Sequence, residues 1–294
     1  MDLLAICLLL IYLTAHQGEV MLVRGYGRKY GDGGMLFNGV ICLFAMVFFV
    51  LTDKDGFSFP DRLWVYGVAN ALLYAAGFYF AYLAYAVGNY FLTQTITSMQ
   101  FIVPIVYGLV FLKEPANIMT YLSLAFSLIS VAVMVYGRWL KLDKTQEGKG
   151  MSAKWLIATL ITLFSNGSIS VVAKMQQTAF DKQNSNEYMI ITLAGASLSL
   201  FVMAFVLERG SVKQTRRKGF TYGLGAGLLN GLKNAVNLAL IALMPLSMLT
   251  PVKKGGGMVF TFLVSYIIYK ERYTKLQYIS ILLSVIAIVL MQMA

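Results

Sequence analysis

Apolar runs of about 20 residues, nearly free of charge, recur along this chain and leave few folds open to it. A helix needs about 20 residues at 1.5 Å each to cross the ~30 Å hydrocarbon core of a bilayer. Ten such runs are read: Asp2–Val23, Gly34–Thr52, Leu63–Ala86, Asn89–Leu112, Asn117–Gly137, Ser152–Lys174, Tyr188–Leu207, Gly219–Leu243, Pro245–Tyr269 and Thr274–Met293. Lipid cannot satisfy backbone polar groups, so each run is a helix or part of a closed barrel. Barrel strands would be about ten residues with alternating polarity, a pattern absent here. The expectation is an all-α polytopic membrane protein. The composition agrees: 59% of the 294 residues are hydrophobic and 13% are charged, against about 25% charged in a soluble domain. The first run has no basic leader and no small-residue cleavage site, so it reads as a span and not as a signal peptide.

The net charge of +11 follows topology. Of the 24 Lys and Arg, three lie inside spans, five in loops on the side of the termini and sixteen on the other side. By the positive-inside rule the richer side is cytoplasmic and both termini face outward, in the plasma (inner) membrane. A nucleic-acid partner is not expected. Cys7 and Cys42 sit in apolar runs with no metal-binding spacing and read as small core residues. No cofactor is expected. Gly25–Gly31 is basic and glycine-rich, but no strand precedes it, so it reads as a cytoplasmic loop and not a phosphate cradle.

The chain repeats itself. Tyr121-Leu-Ser-Leu-Ala-Phe-Ser in the fifth span matches Tyr278-Ile-Ser-Ile-Leu-Leu-Ser in the tenth, 157 residues on, and Leu112-Lys113-Glu114 matches Tyr269-Lys270-Glu271 at the same offset. This divides the chain into a five-helix repeat over 1–140, a polar cytoplasmic linker over 141–151 and a second repeat over 152–294. Five is odd, so the second copy enters the membrane inverted, an architecture of many secondary transporters.

Polar residues inside the spans mark the candidate site, because a charge at mid-bilayer costs about 2.5–3.5 kcal/mol even on the lenient insertion scale. Span 9 carries Lys253 and Lys254 beside Pro251, Gly255, Gly256 and Gly257, which reads as an interrupted helix with Lys254 about 14 Å deep. Its counterpart in span 4 is hydroxyl- and amide-rich, with Gln94, Thr97 and Gln100. Span 8 places Asn230, Lys233, Asn234 and Asn237 on one face, while Gly223, Gly227 and Gly231 form a second stripe suited to close packing. Tyr74, Phe78 and Tyr82 line span 3 and could face a cavity. His16 and Glu19, three apart in span 1, could carry a coupling proton or form a structural pair. Glu19 is the only acid inside a span, so the three lysines cannot all be matched by carboxylates.

The two Lys-Glu copies, Pro104 ten residues before Glu114, and Phe164-Ser165-Asn166-Gly167-Ser168 with Lys174 beyond it resemble ten-helix members of the drug/metabolite transporter superfamily, close to its EamA-like branch. The resemblance implies a cavity lined by spans 1, 3, 4, 6, 8 and 9, which adds Asn166 to the candidate residues. Two departures are Thr261, where a proline is common, and Ala15-His16-Gln17-Gly18-Glu19 in place of the usual run.

The expectation is therefore a secondary active transporter, not an enzyme. It would move a small anionic or zwitterionic organic metabolite, with an aromatic or sugar portion allowed, by alternating access at a midplane site between the repeats. The alternative is a proton-coupled exporter of cationic or amphipathic drugs that uses Glu19. A membrane-embedded lipid enzyme would need paired acids or metal ligands that the spans lack, and a channel is the remaining class. Monomer and homodimer are both open.

Overall fold

The computed structural model describes residues 3–30, 34–53, 56–87, 93, 96–139, 152–208, 219–267 and 275–293. Gln94, the linker 141–151 and the second Lys-Glu copy lie outside them. The described residues are helical with no strand. The helices are α1 (Leu3–Tyr30), α2 (Met35–Thr52), α3 (Asp61–Val87), α4 (Ile96–Phe111), α5 (Ile118–Trp139), α6 (Ala153–Ala179), α7 (Ser185–Leu207), α8 (Phe220–Leu243), α9 (Leu246–Ile267) and α10 (Lys275–Gln292). Six of them, α1, α2, α3, α6, α7 and α8, are long and apolar enough to cross a membrane, and α4, α5 and α10 contain shorter apolar stretches.

The chain packs as two compact units, Asp2–Tyr79 with Val172–Leu243 and Phe80–Val171 with Met244–Ala294. Each draws on both halves of the sequence, and α3 and α6 contribute to both.

In the first unit α8 packs on α1 and α2, and α7 packs on α2. Lipid offers apolar side chains the same surroundings as another helix does, so association rests on close fit and on hydrogen bonds. The glycine stripe supplies the fit. A Cβ on Gly227 would stand 2.4 Å from the Phe44 Cβ and 2.8 Å from the Ile41 carbonyl oxygen, and Gly223 and Gly231 meet Val40 and Phe48 in the same way. Carboxylates fix the ends. Glu208, just past α7, accepts the Met35 and Leu36 N–H at 2.9 and 3.4 Å, donors that the first turn of α2 leaves unpaired. At the opposite ends, the Asn186 amide donates to Asp53 at 3.1 Å. The two helices are thus antiparallel.

In the second unit α5 and α10 are also antiparallel. Ser123 Oγ donates to the Ala287 carbonyl at 2.7 Å, Ser130 Oγ to the Ser280 carbonyl at 2.7 Å, and Ser280 Oγ back to the Ser130 carbonyl at 2.9 Å. Glu114 holds the start of α9, accepting the Leu246 and Ser247 N–H at 2.8 Å and the Ser247 hydroxyl at 2.6 Å.

Two local expectations are corrected. Helix α9 runs unbroken through Pro251, Gly255, Gly256 and Gly257. Pro251 lies near the capped end, where its missing N–H costs one helical bond. Gly255 lets α9 approach α10, with the Ile288 side chain and the Ser284 carbonyl about 3.1–3.2 Å from where its Cβ would be. The irregular helix is instead α4, which passes from a 3-10 turn at Met99–Phe101 to a π turn at Tyr107–Phe111. Helix α1 also continues through the expected loop from Gly25 to Tyr30. There Tyr26 stacks on Phe37 at 4.0 Å between ring centroids, and Gly25 gives way to Tyr222.

Candidate functional site

The expected site residues fall into two sets, one in each unit. In the first unit, α1 and α8 come close at Gly18, where a Cβ would meet Leu229 at 2.9 Å. This contact brings Glu19 onto the polar face of α8. Lys233 Nζ forms an ion pair with Glu19 Oε2, and the Asn230 amide donates to Oε1 at 2.7 Å. The Asn234 amide donates to Asn230 Oδ1 at 2.8 Å. His16 Nδ1 is 3.9 Å from the carboxylate, beyond hydrogen-bond reach, and its ring lies 6.2 Å from that of Tyr12. The Glu19 and Lys233 side chains are 13% and 17% exposed. Glu19 thus supplies the counter-charge to Lys233. Asn237 lies one turn further along α8. Tyr74 and Phe78 are half-buried on α3 in the same unit.

The second unit holds the other set. Lys253 and Lys254 are half-buried in α9, with Lys254 Nζ 5.9 Å from the centre of the Phe101 ring, within cation–π range. Gln100, in the 3-10 turn of α4, has a buried side-chain oxygen with no hydrogen-bond partner. Gly167 of α6 brings that helix against the Gln100 backbone: a Cβ there would come 2.7 Å from its carbonyl. Asn166, next to it, is half-buried. Thr97 is buried and its hydroxyl bonds back to the Thr93 carbonyl at 2.9 Å. That bond directs its proton into its own helix. Tyr82 is 43% exposed on α3.

Several functional-looking groups were not evident from sequence. Glu114 and Glu208 read as loop acids, and nothing local shows which distant helix start each one holds. Asn70 Oδ1 on α3 and the Tyr188 hydroxyl on α7 are buried without a hydrogen-bond partner. Lys174 donates to the Ile241 carbonyl at 2.9 Å, at the edge of a cavity of about 440 Å³ that Gln177, Asp181 and Lys182 also line. None of the expected binding residues lines that cavity. Among the described residues no cluster of His, Cys, Asp and Glu could hold a metal ion.

No family model matches the chain, and no curated protein matches it either. A solved structure described only as "Crystal structure of protein" is similar over 97% of this chain and 98% of its own, with a TM-score of 0.72 at 13% identity. Identity that low shows a shared fold and nothing about chemistry.

Proposed function

We propose that the chain is a secondary active transporter of a small organic solute, built as ten spans in two inverted five-helix repeats and similar to the EamA-like drug/metabolite transporters. The observation that carries this reading is the Glu19–Lys233–Asn230–Asn234 network. Opposite charges and amides set into helices apolar enough to cross a membrane mark a solute or ion pathway by default.

The inverted repeat draws support from reciprocal contacts. At the 157-residue offset, Ser280 is the counterpart of Ser123 and Ala287 that of Ser130. Ser123 bonds to the counterpart of Ser130, and Ser130 bonds to the counterpart of Ser123. That exchange is what a two-fold axis produces. Within the first unit, the antiparallel pairing of α2 with α7 likewise fits an inverted repeat.

The solute is anionic or zwitterionic on this reading. Lys253, Lys254 and the uncommitted Gln100 oxygen offer cationic and polar contacts, and the Glu19–Lys233 pair presents both signs of charge. Transport across the plasma membrane proceeds by alternating access, with the basic loops cytoplasmic and no cofactor. The His16–Glu19 pair, 3.9 Å apart, has a second role on this reading as carrier of a coupling proton.

A thermal-shift screen of the purified protein against charged metabolites tests the reading, since a ligand of the folded state raises apparent stability. The hit is then assayed for counterflow in proteoliposomes. Lys254→Met should weaken its affinity at least tenfold, about 1.4 kcal/mol. Glu19→Gln should retain exchange and lose uptake driven by a pH gradient. Hits confined to cations, with affinity unchanged in Lys253→Met and Lys254→Met, would replace the anion reading with the drug-exporter one.

A further inference from the structure

The segment between α2 and α3 carries three large exposed rings. Phe57, Phe59 and Trp64 are 50%, 38% and 50% exposed. Phe57 stacks on Phe59 with centroids 6.0 Å apart at 24°, and Phe59 is tilted against Trp64 at 6.1 Å and 38°.

The backbone beneath them is pinned. The Ser58 N–H donates to Glu187 at 3.0 Å, the Asn184 amide donates to the Ser58 carbonyl at 3.1 Å, and Gly56 supplies a turn at φ +81°. Leu63, wholly buried, fixes the rotation of α3 beside Trp64. The rings therefore form a rigid plate.

We infer that this plate is a lipid anchor that lies in the headgroup region of the leaflet at the outer ends of α2 and α3. Continuity identifies phospholipid as the occupant. Trp64 heads a ridge of α3 that continues through the exposed Val68 and Leu72, 45% and 62% exposed, about 12 Å along a helix long enough to span. That ridge faces acyl chains, so its upper end meets the headgroups. Exposed Asp61 and Arg62 stand at the same level, giving the apolar body and polar rim that suit Trp and its neighbours to a membrane interface. Because Glu187 and Asn184 hold the plate, it also fixes the depth at which α7 begins.

The test uses the full chain in phosphatidylcholine vesicles. Tryptophan emission is compared with that of Trp64→Phe to isolate the Trp64 signal from Trp139 and Trp155. Lipids brominated near the top of the acyl chain should quench Trp64 at least twofold more than lipids brominated near its middle. Stronger quenching by the deeper bromines would overturn the placement. Quenching by aqueous iodide alone would put the plate in water. No quenching by any of the three would mean that protein, such as a second copy of the chain, covers it.

Discussion

Lys233→Met tests the central network directly. The substitution removes the cation from Glu19 Oε2 and leaves the Asn230 amide at 2.7 Å as the remaining close donor to that carboxylate. His16 Nδ1, at 3.9 Å, is too far to take over. Because Glu19 is 13% exposed, water can compensate only in part. Removing one member of a buried pair costs about 3–5 kcal/mol, most of it from the charge left behind. Glu19→Gln should cost a similar amount by stranding Lys233. The double variant Glu19→Gln/Lys233→Met strands neither charge, so it should lie closer to the parent than either single variant, with a coupling of at least about 2 kcal/mol in the double-mutant cycle. Stability is read from denaturant unfolding in detergent micelles. Additive single costs, or single costs below about 1 kcal/mol, would show that the pair is solvated and that the network does not set the geometry of α1 against α8.

Two further predictions concern other contacts and a third the orientation. Gly227→Ala should destabilise the protein by about 1–3 kcal/mol, because the new Cβ meets the backbone carbonyl of Ile41 at 2.8 Å; unchanged unfolding would mean that α2 and α8 are looser than described. Glu114→Ala leaves the Leu246 and Ser247 N–H unpaired and should cost about 1–3 kcal/mol, with faster hydrogen exchange confined to the first turn of α9 as the check. Cysteines placed at Lys144 or Gln214 should resist impermeant reagents applied to intact cells, and labelling there would reverse the assigned orientation.

The sequence revealed local features better than distant ones. The helices followed from unbroken apolar runs, and the Gly223–Gly227–Gly231 stripe was readable as a packing face because its four-residue spacing lies within one helix. Glu19 and Lys233 both stood out as charges in apolar surroundings, but their union spans 214 positions and no local pattern encodes it. As the only acid inside an expected span, Glu19 could not match all three lysines, and nothing local shows which of them it meets. Span 9 misled because Pro251 and three glycines satisfy every local criterion for a break. What holds α9 together is Glu114, more than a hundred residues away, and the fit of Gly255 against α10. In α4 the reverse holds: no local signal was read as a break, yet the helix leaves α geometry at Met99–Phe101 and again at Tyr107–Phe111.

The ion pair between α1 and α8 also bears on how the chain is made. Glu19 enters the membrane with the first helix, 214 positions ahead of Lys233. At about 5–20 residues per second of synthesis, roughly 10–40 s pass before its partner exists. During that time the insertion cost of the carboxylate, about 2.5–3.5 kcal/mol or somewhat less, must be offset by the apolar residues of α1 alone. The exposed Leu3, Leu4, Ile6, Leu10 and Ile11 on its outer turns are suited to that task. A chain halted before α8 would keep an unmatched acid in its first helix. Completion of the eighth helix is thus the step at which Glu19 first meets its partner cation.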